Sequence, residues 1–209
     1  EAIHSLTREK VEKIAFLEGH GELSEREGYD LSQALSRYYQ IDRGTLGNET
    51  GVLDTYKAVI IADPQRPFSE TDKYILDQYL MQGGSILWVL NGVRFSDETL
   101  SQNGTTPVIP LDLNLSDMLF RYGVRVNPAL VQDMQCLPMP VDVSSDPQQP
   151  NWQPMPWTYA PLLLTSQASP ITRNVAQVSA TMASAVDIVG GEDGLHKEVL
   201  LATSTSSKL

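Results

Sequence analysis

Residues Lys57 to Asp63 read KAVIIAD, an apolar run that does not alternate and that closes at Asp63-Pro64. A strand with one wet face alternates apolar and polar residues, so this run is expected to be covered on both faces, as in a parallel sheet. The following residues agree. Ser69-Glu70-Thr71-Asp72 has the form of a capping box, with Ser at the cap and an acid three residues on. Tyr74, Ile75, Tyr79 and Leu80 then make one apolar stripe, Gly83-Gly84 supplies a stop, and Ser85 to Leu90 (SILWVL) reads as a second buried strand.

The N-terminal part repeats the pattern. Lys13 to Leu17 read as a strand that runs into Gly19-His20-Gly21-Glu22, and Leu6 to Glu12 before it as a short helix with Ser5 or Thr7 as cap. Tyr29, Leu31, Leu35, Tyr38 and Tyr39 fall near helical spacing within Arg26 to Tyr39, and Tyr39 to Asp42 is a weak second strand. Two strand–helix–strand passages predict a doubly wound, mainly parallel α/β sheet with helices on both faces.

After Asn91 the pattern loosens. Phe95 to Pro110 is polar and reads as a loop, Leu113 to Tyr122 as a helix ending at Gly123, and Val124 to Val126 as a short strand, with Leu130 to Cys136 a further candidate. Between Pro138 and Pro161 the chain carries seven of its 13 prolines, with Trp152 and Trp157. Proline lacks the donor N–H, so this stretch is not expected in a central helix or strand; it reads as a long excursion over the body, anchored by its tryptophans, or as a proline-rich partner motif. Leu162 to Leu164, Val186 to Val189 and Val199 to Ala202 read as late strands. The whole, 1–209, is expected to be a single α/β domain with a Pro-rich excursion at about 138–161.

A chain of 209 residues with 41% hydrophobic content can bury a core of that kind. Its net charge of −11 repels polyphosphates and anionic headgroups, which argues against nucleic-acid binding and electrostatic membrane docking. Cys136 is the only cysteine, so an internal disulfide and a multi-cysteine zinc site are excluded. No apolar run approaches the roughly 20 residues that span a bilayer. The opening at Glu1 and the closing Thr-Ser-Ser-Lys-Leu lead us to expect a fragment of a longer protein.

In an open parallel sheet, ligands sit at the carboxyl ends of the strands. That places Glu18, His20, Glu22, Asp63, Arg66 and Asn91 around a candidate binding cleft. His20, Glu22 and Asp63 could supply a metal set, with Glu18 or Glu22 as general base of a hydrolase; the competing reading is a turn in which the glycines let the chain reverse. A nucleophile would belong on the sharp turn after a buried strand, but Leu90-Asn91-Gly92 has no hydroxyl or thiol, and Gln135-Cys136-Leu137-Pro138 lacks the small-residue setting. Gly19-His20-Gly21 is only half of a dinucleotide fingerprint, and no Walker A pattern occurs. No cofactor and no catalytic residue is expected.

Ile14 to Leu23 (IAFLEGHGEL) resembles the opening of the soluble domain of the GldG-like gliding-motility auxiliary proteins of ABC transporters. Ile60 to Pro64 with Pro67 to Glu70, Gly83 to Trp88, Leu119 to Asn127, and Pro156 to Leu162 with Ser169 to Thr172 extend the resemblance over roughly 11–190. It implies an extracytoplasmic, GIFT-like domain on the periplasmic side of the inner membrane. Membrane anchors outside this stretch would hold it beside an ABC permease, its ATPase and other envelope proteins. The implied sheet is flavodoxin-like and similar to class I glutamine amidotransferases, whose cysteine elbow would fall near Leu90-Asn91, where this chain has no cysteine. The expected function is therefore non-enzymatic binding or scaffolding. The alternatives are a metal- or carboxylate-dependent hydrolase, and a small-solute-binding protein for import, the latter weakened by the want of two lobes.

Overall fold

The computed structural model describes residues 11–144, 149–190 and 194–209. In chain order its elements are β1 (Lys13–Leu17), α1 (Tyr29–Ser36), β2 (Gln40–Gly44), β3 (Tyr56–Ala62), α2 (Glu70–Met81), β4 (Ser85–Val89), β5 (Val93–Arg94), α3 (Asp97–Asn103), β6 (Ile109–Pro110) and α4 (Ser116–Arg121). There follow β7 (Val124–Leu130), β8 (Gln132–Asp133), β9 (Cys136–Asp142), β10 (Trp152–Thr165), β11 (Gln177–Ser179), β12 (Ser184–Ile188), β13 (Leu201–Ala202) and β14 (Ser207–Lys208). Most of the helix expected at Leu6 to Glu12 lies outside the described residues.

Where the sequence reading has one body, packing groups the described residues into two compact units. One holds the chain up to Arg94 together with Leu111–Tyr122; the other holds Phe95–Pro110 and Gly123–Leu209. Strand signals read one at a time do not reveal that the later strands pair among themselves.

The first unit is built on a four-stranded sheet in the order β2-β1-β3-β4, with all three pairings parallel. The run that does not alternate lies in β3, a central strand, where Val59, Ile60, Ile61 and Ala62 are all buried. Ile14, Phe16, Ile60 and Ala62 form a core cluster on which Leu23, Leu35, Tyr39, Ile41 and Ala58 pack, so α1 is held by Leu35. α2 starts at the capping box foreseen from the sequence: Asp72 N–H donates to the Ser69 hydroxyl (3.1 Å) and Ser69 N–H to the Asp72 carboxylate (2.9 Å). It buries Ile75, Leu76 and Tyr79, and the Tyr79 hydroxyl donates to the carbonyl of Tyr56 in β3. Gly84 is required here, because a Cβ would overlap the Tyr79 ring. β4 departs from the expected burial on both faces: it is an outer strand of the sheet, and Leu87 and Val89 are about half exposed.

α4 joins this unit from later in the chain. The ammonium of Lys73, a buried residue, reaches Glu70 at 2.8 Å and Asp117 at 3.1 Å, and Asn114 donates to the carbonyl of Phe68. Leu113, Leu115, Met118 and Leu119 add to the buried apolar set.

In the second unit β7 pairs with β12, β8 with β14, and β10 with β9, β11 and β13, all antiparallel. Of the expected late strands, Leu162 to Leu164 lies within β10, while β12 takes up 186–188 and β13 only 201–202 of the other two. The Pro-rich stretch corrects the sequence expectation, because Cys136–Asp142 and Trp152–Pro156 pair as a two-stranded ribbon with Pro138 opposite Pro156 and Pro140 opposite Pro154. Nor does Trp152 anchor it, being 63% exposed. Prolines fit because opposed residues in an antiparallel pair alternate between exchanging hydrogen bonds and pointing their N–H groups outward. Val143 N–H donates to Asn151 (2.9 Å), so 141/153 and 139/155 share that bonded parity and the prolines occupy the outward positions.

Candidate functional site

Because β1, β3 and β4 are neighbours in one parallel sheet, the loops at their carboxyl ends come together. The His20 carbonyl accepts from both Gln65 N–H and Arg66 N–H at 2.8 Å, and Leu23 N–H donates to Ala62. Asn91 Nδ2 donates to Asp63 Oδ1 at 2.8 Å, which joins the β3 and β4 ends. Gly19 and Gly21 have φ of 123° and 80°, values that favour glycine, so the turn reading of the Gly-His-Gly sequence holds at the backbone. Asp63 is also left-handed, with φ 54°, which Asp tolerates better than most residues.

His20 is folded inward and is 9% exposed. Its ring lies flat on Phe68, with centroids 3.8 Å apart and an interplanar angle of 11°, and Phe68 meets Trp88 edge-on at 6.1 Å. Nδ1 is 3.1 Å from Glu22 Oε1 and Nε2 is 3.4 Å from Asp72 Oδ2, while Glu22 Oε2 accepts the His20 backbone N–H at 2.7 Å. Burial works against ionisation of Asp72, but the Ser69 hydroxyl and N–H, with His20, outweigh it and hold the carboxyl below its ordinary value. Both imidazole nitrogens thus face protein carboxylates and one ring face is covered.

Of the six sequence candidates, His20 and Glu22 meet directly, and Asp63 meets Asn91. Glu18 points elsewhere, to Arg43 Nε at 2.7 Å, and that guanidinium also donates to Leu23 O at 2.6 Å and lies 5.2 Å from the Phe16 ring centroid. Arg66 joins through its backbone and its residue is exposed. The metal set His20, Glu22 and Asp63 is not what forms: the second acid beside the His20 ring, after Glu22, is Asp72 and not Asp63. Among the described residues no group of three or more His, Cys, Asp or Glu side chains is placed to hold a metal ion. Sequence reasoning missed Asp72, Phe68 and Arg43 as members of this rim. Asp72 carried a signal, its place in the capping box, but nothing along the chain shows that the carboxylate bonded to Ser69 also faces a histidine 52 positions away.

The rim can therefore join three loops and present polar backbone and side-chain edges. Cys136 is half-buried and free, in the other unit, and His196 is exposed; His4 lies outside the described residues.

No curated protein sequence matches the chain. Four solved chains match it. One, the mmIFT52 N-terminal domain, aligns with a TM-score of 0.62 over 93% of this chain and 74% of its own, at 18% identity, which shows a likeness of fold alone. The family model for ABC transporter auxiliary proteins, described as ABC-type uncharacterized transport system, matches residues 12–209. The chain belongs to that family and is an auxiliary component of an ABC-type transport system.

Proposed function

We propose that this chain is a non-enzymatic binding or scaffolding domain, GldG-like and GIFT-like, on the periplasmic side of the inner membrane. It works beside the permease and ATPase of an ABC system linked to gliding motility or surface secretion, and is held there by membrane anchors outside this stretch. Its parallel half serves as the flavodoxin-like, doubly wound frame. The observation that carries the reading is the mutual engagement of the strand-end polar groups. His20 is clamped between Glu22 and Asp72 and stacked on Phe68, and Asp63 is bonded to Asn91, so these side chains hold loops together. A general base needs a lone pair aimed at a substrate proton, and the imidazole nitrogens are aimed at carboxylates.

The test is affinity purification of the full-length protein from its native envelope, paired with an esterase, amidase and glycosidase panel. Recovery of the permease and a flat panel are expected. Hydrolysis that disappears in His20→Ala would replace the scaffold by a hydrolase, and an envelope preparation without permease would remove the transport assignment of the domain.

A further inference from the structure

The ribbon Cys136–Asp142 with Trp152–Pro156 is largely apolar on both faces, with Gln153 on one and Asp142 on the other as its polar side chains, and is covered on neither. Pleating sends Met139, Val141 and Met155 to one face, each more than a third exposed, and Pro138, Pro140, Pro154, Pro156 and Trp152 to the other. A two-stranded ribbon in water is marginal unless something packs on it. Burying a free strand edge ordinarily costs the desolvation of its outward N–H groups, but four of those positions here are prolines and carry no donor. The edges thus present carbonyls without donors at those positions, which leaves less to desolvate than an ordinary strand edge and makes them unsuited to pairing with another strand. Charge points the same way: from Val126 to Thr172 the chain has no Lys, Arg or Glu, and Asp142 is the ribbon's only charge in a chain of net −11.

We propose that this ribbon is an insertion arm that enters an apolar slot in a partner protein, with both faces in contact and a neutral or cationic lining opposite Asp142. A lipid surface fits less well, because the stretch of sequence that joins the two strands, 144–151 (SSDPQQPN), is polar and acidic and is disfavoured in hydrocarbon. A second copy lying face to face fits less well too. Five residues per strand give a face of about 17 Å by about 10 Å, well short of the roughly 800 Å² per partner of a stable interface. Insertion engages both faces and the edges together.

The inference rests on the scaffolding reading for there being a protein partner, and the experiment separates the two. In the full-length protein in its native membrane, a benzophenone amino acid is placed singly at Met155, at Trp152 on the opposite face, and at exposed Tyr74 in the other unit as control. Met155 and Trp152 are expected to cross-link to one and the same polypeptide, through apolar peptides, at least tenfold above Tyr74. Met139→Asp should abolish the Trp152 adduct, and the milder Met139→Ser should reduce it, with the thermal transition of each variant unchanged. Adducts from one face only, to lipid, to another copy of this chain, or no stronger than at Tyr74 would overturn the arm. If the permease still co-purifies in that case, the scaffold stands and the arm alone is lost.

Discussion

Replacing His20 by alanine removes a ring that touches three partners, and each loss has its own size. The bond to Glu22 matters most, because that side chain is 2% exposed and its Oε1 loses the ring donor. A hydrogen bond to a charged group contributes about 1.5–3 kcal/mol, and the flat contact with Phe68 adds about 0.5–1.5 kcal/mol. The Asp72 contact, at 3.4 Å, is long, and Ser69 continues to serve that carboxylate, so it adds little. The sum is about 3 kcal/mol, and for a chain of this length each kcal/mol moves the melting temperature by about 2–4 °C. His20→Ala should therefore melt about 6–12 °C lower. Trp88, edge-on to Phe68, reports the loss locally once Trp152 and Trp157 are replaced by Phe. A variant that keeps its native Trp88 emission and melts within about 2 °C of the parent would mean that water serves Glu22 as well as the imidazole does, and the account of the rim as a fastener would fail.

Tyr122 donates to Asp77 at 2.8 Å, and burial first, then that carboxylate, push its phenol up to about 12; ultraviolet titration should find one tyrosine ionising that late, and Asp77→Asn should bring it down. Asp133 is 1% exposed and accepts from Ser204 N–H (2.7 Å), the Ser204 hydroxyl (2.5 Å) and Gln135 N–H (2.9 Å). Burial opposes its ionisation, but those donors depress its folded pKa. Its stabilisation is therefore present above the ordinary carboxylate range and lost as pH falls through the depressed value. The hydrogen-exchange protection of the amides of Ser207 and Lys208, in the strand beside Asp133, relative to the intrinsic rate at each pH, should fall on acidification below about pH 4, and should be low at every pH in Asp133→Ala. Gly84→Ala drives a methyl into the Tyr79 ring and should cost about 1–3 kcal/mol in urea unfolding, with much of the loss recovered by adding Tyr79→Leu.

The parallel half was legible because its signals are local. β3 is a central strand whose apolar run does not alternate, α2 has its Ser69/Asp72 cap, and Lys13 to Leu17 runs straight into a glycine turn. The burial expected of β4 was not legible, since Ser85 to Val89 is as apolar as a central strand and only its outer place in the sheet leaves Leu87 and Val89 half exposed. The ribbon was misread for a different reason. Whether a proline breaks a strand depends on which way its missing N–H would have pointed, and that is set by the register of 138–142 against 152–156. Within the rim, Gly19 to Glu22 marks itself, but the Asp72 contact depends on where the first turn of α2 lies against the β1 end, which no spacing along the chain encodes.

The chain passes from one packing unit to the other after Arg94, Pro110 and Tyr122. A ribosome that has released the chain only as far as Arg94 has therefore not supplied Leu113, Leu115, Met118 and Leu119, nor the Leu113 carbonyl that receives Phe68 N–H. Phe68, and the histidine stacked on it, must wait for a later instalment of the polypeptide, delivered after 16 residues that belong to the other unit. Neither unit can be excised as one uninterrupted fragment, and a truncation at residue 94 should give a sticky, protease-sensitive product, while one that keeps the chain through Tyr122 retains every piece of the first unit.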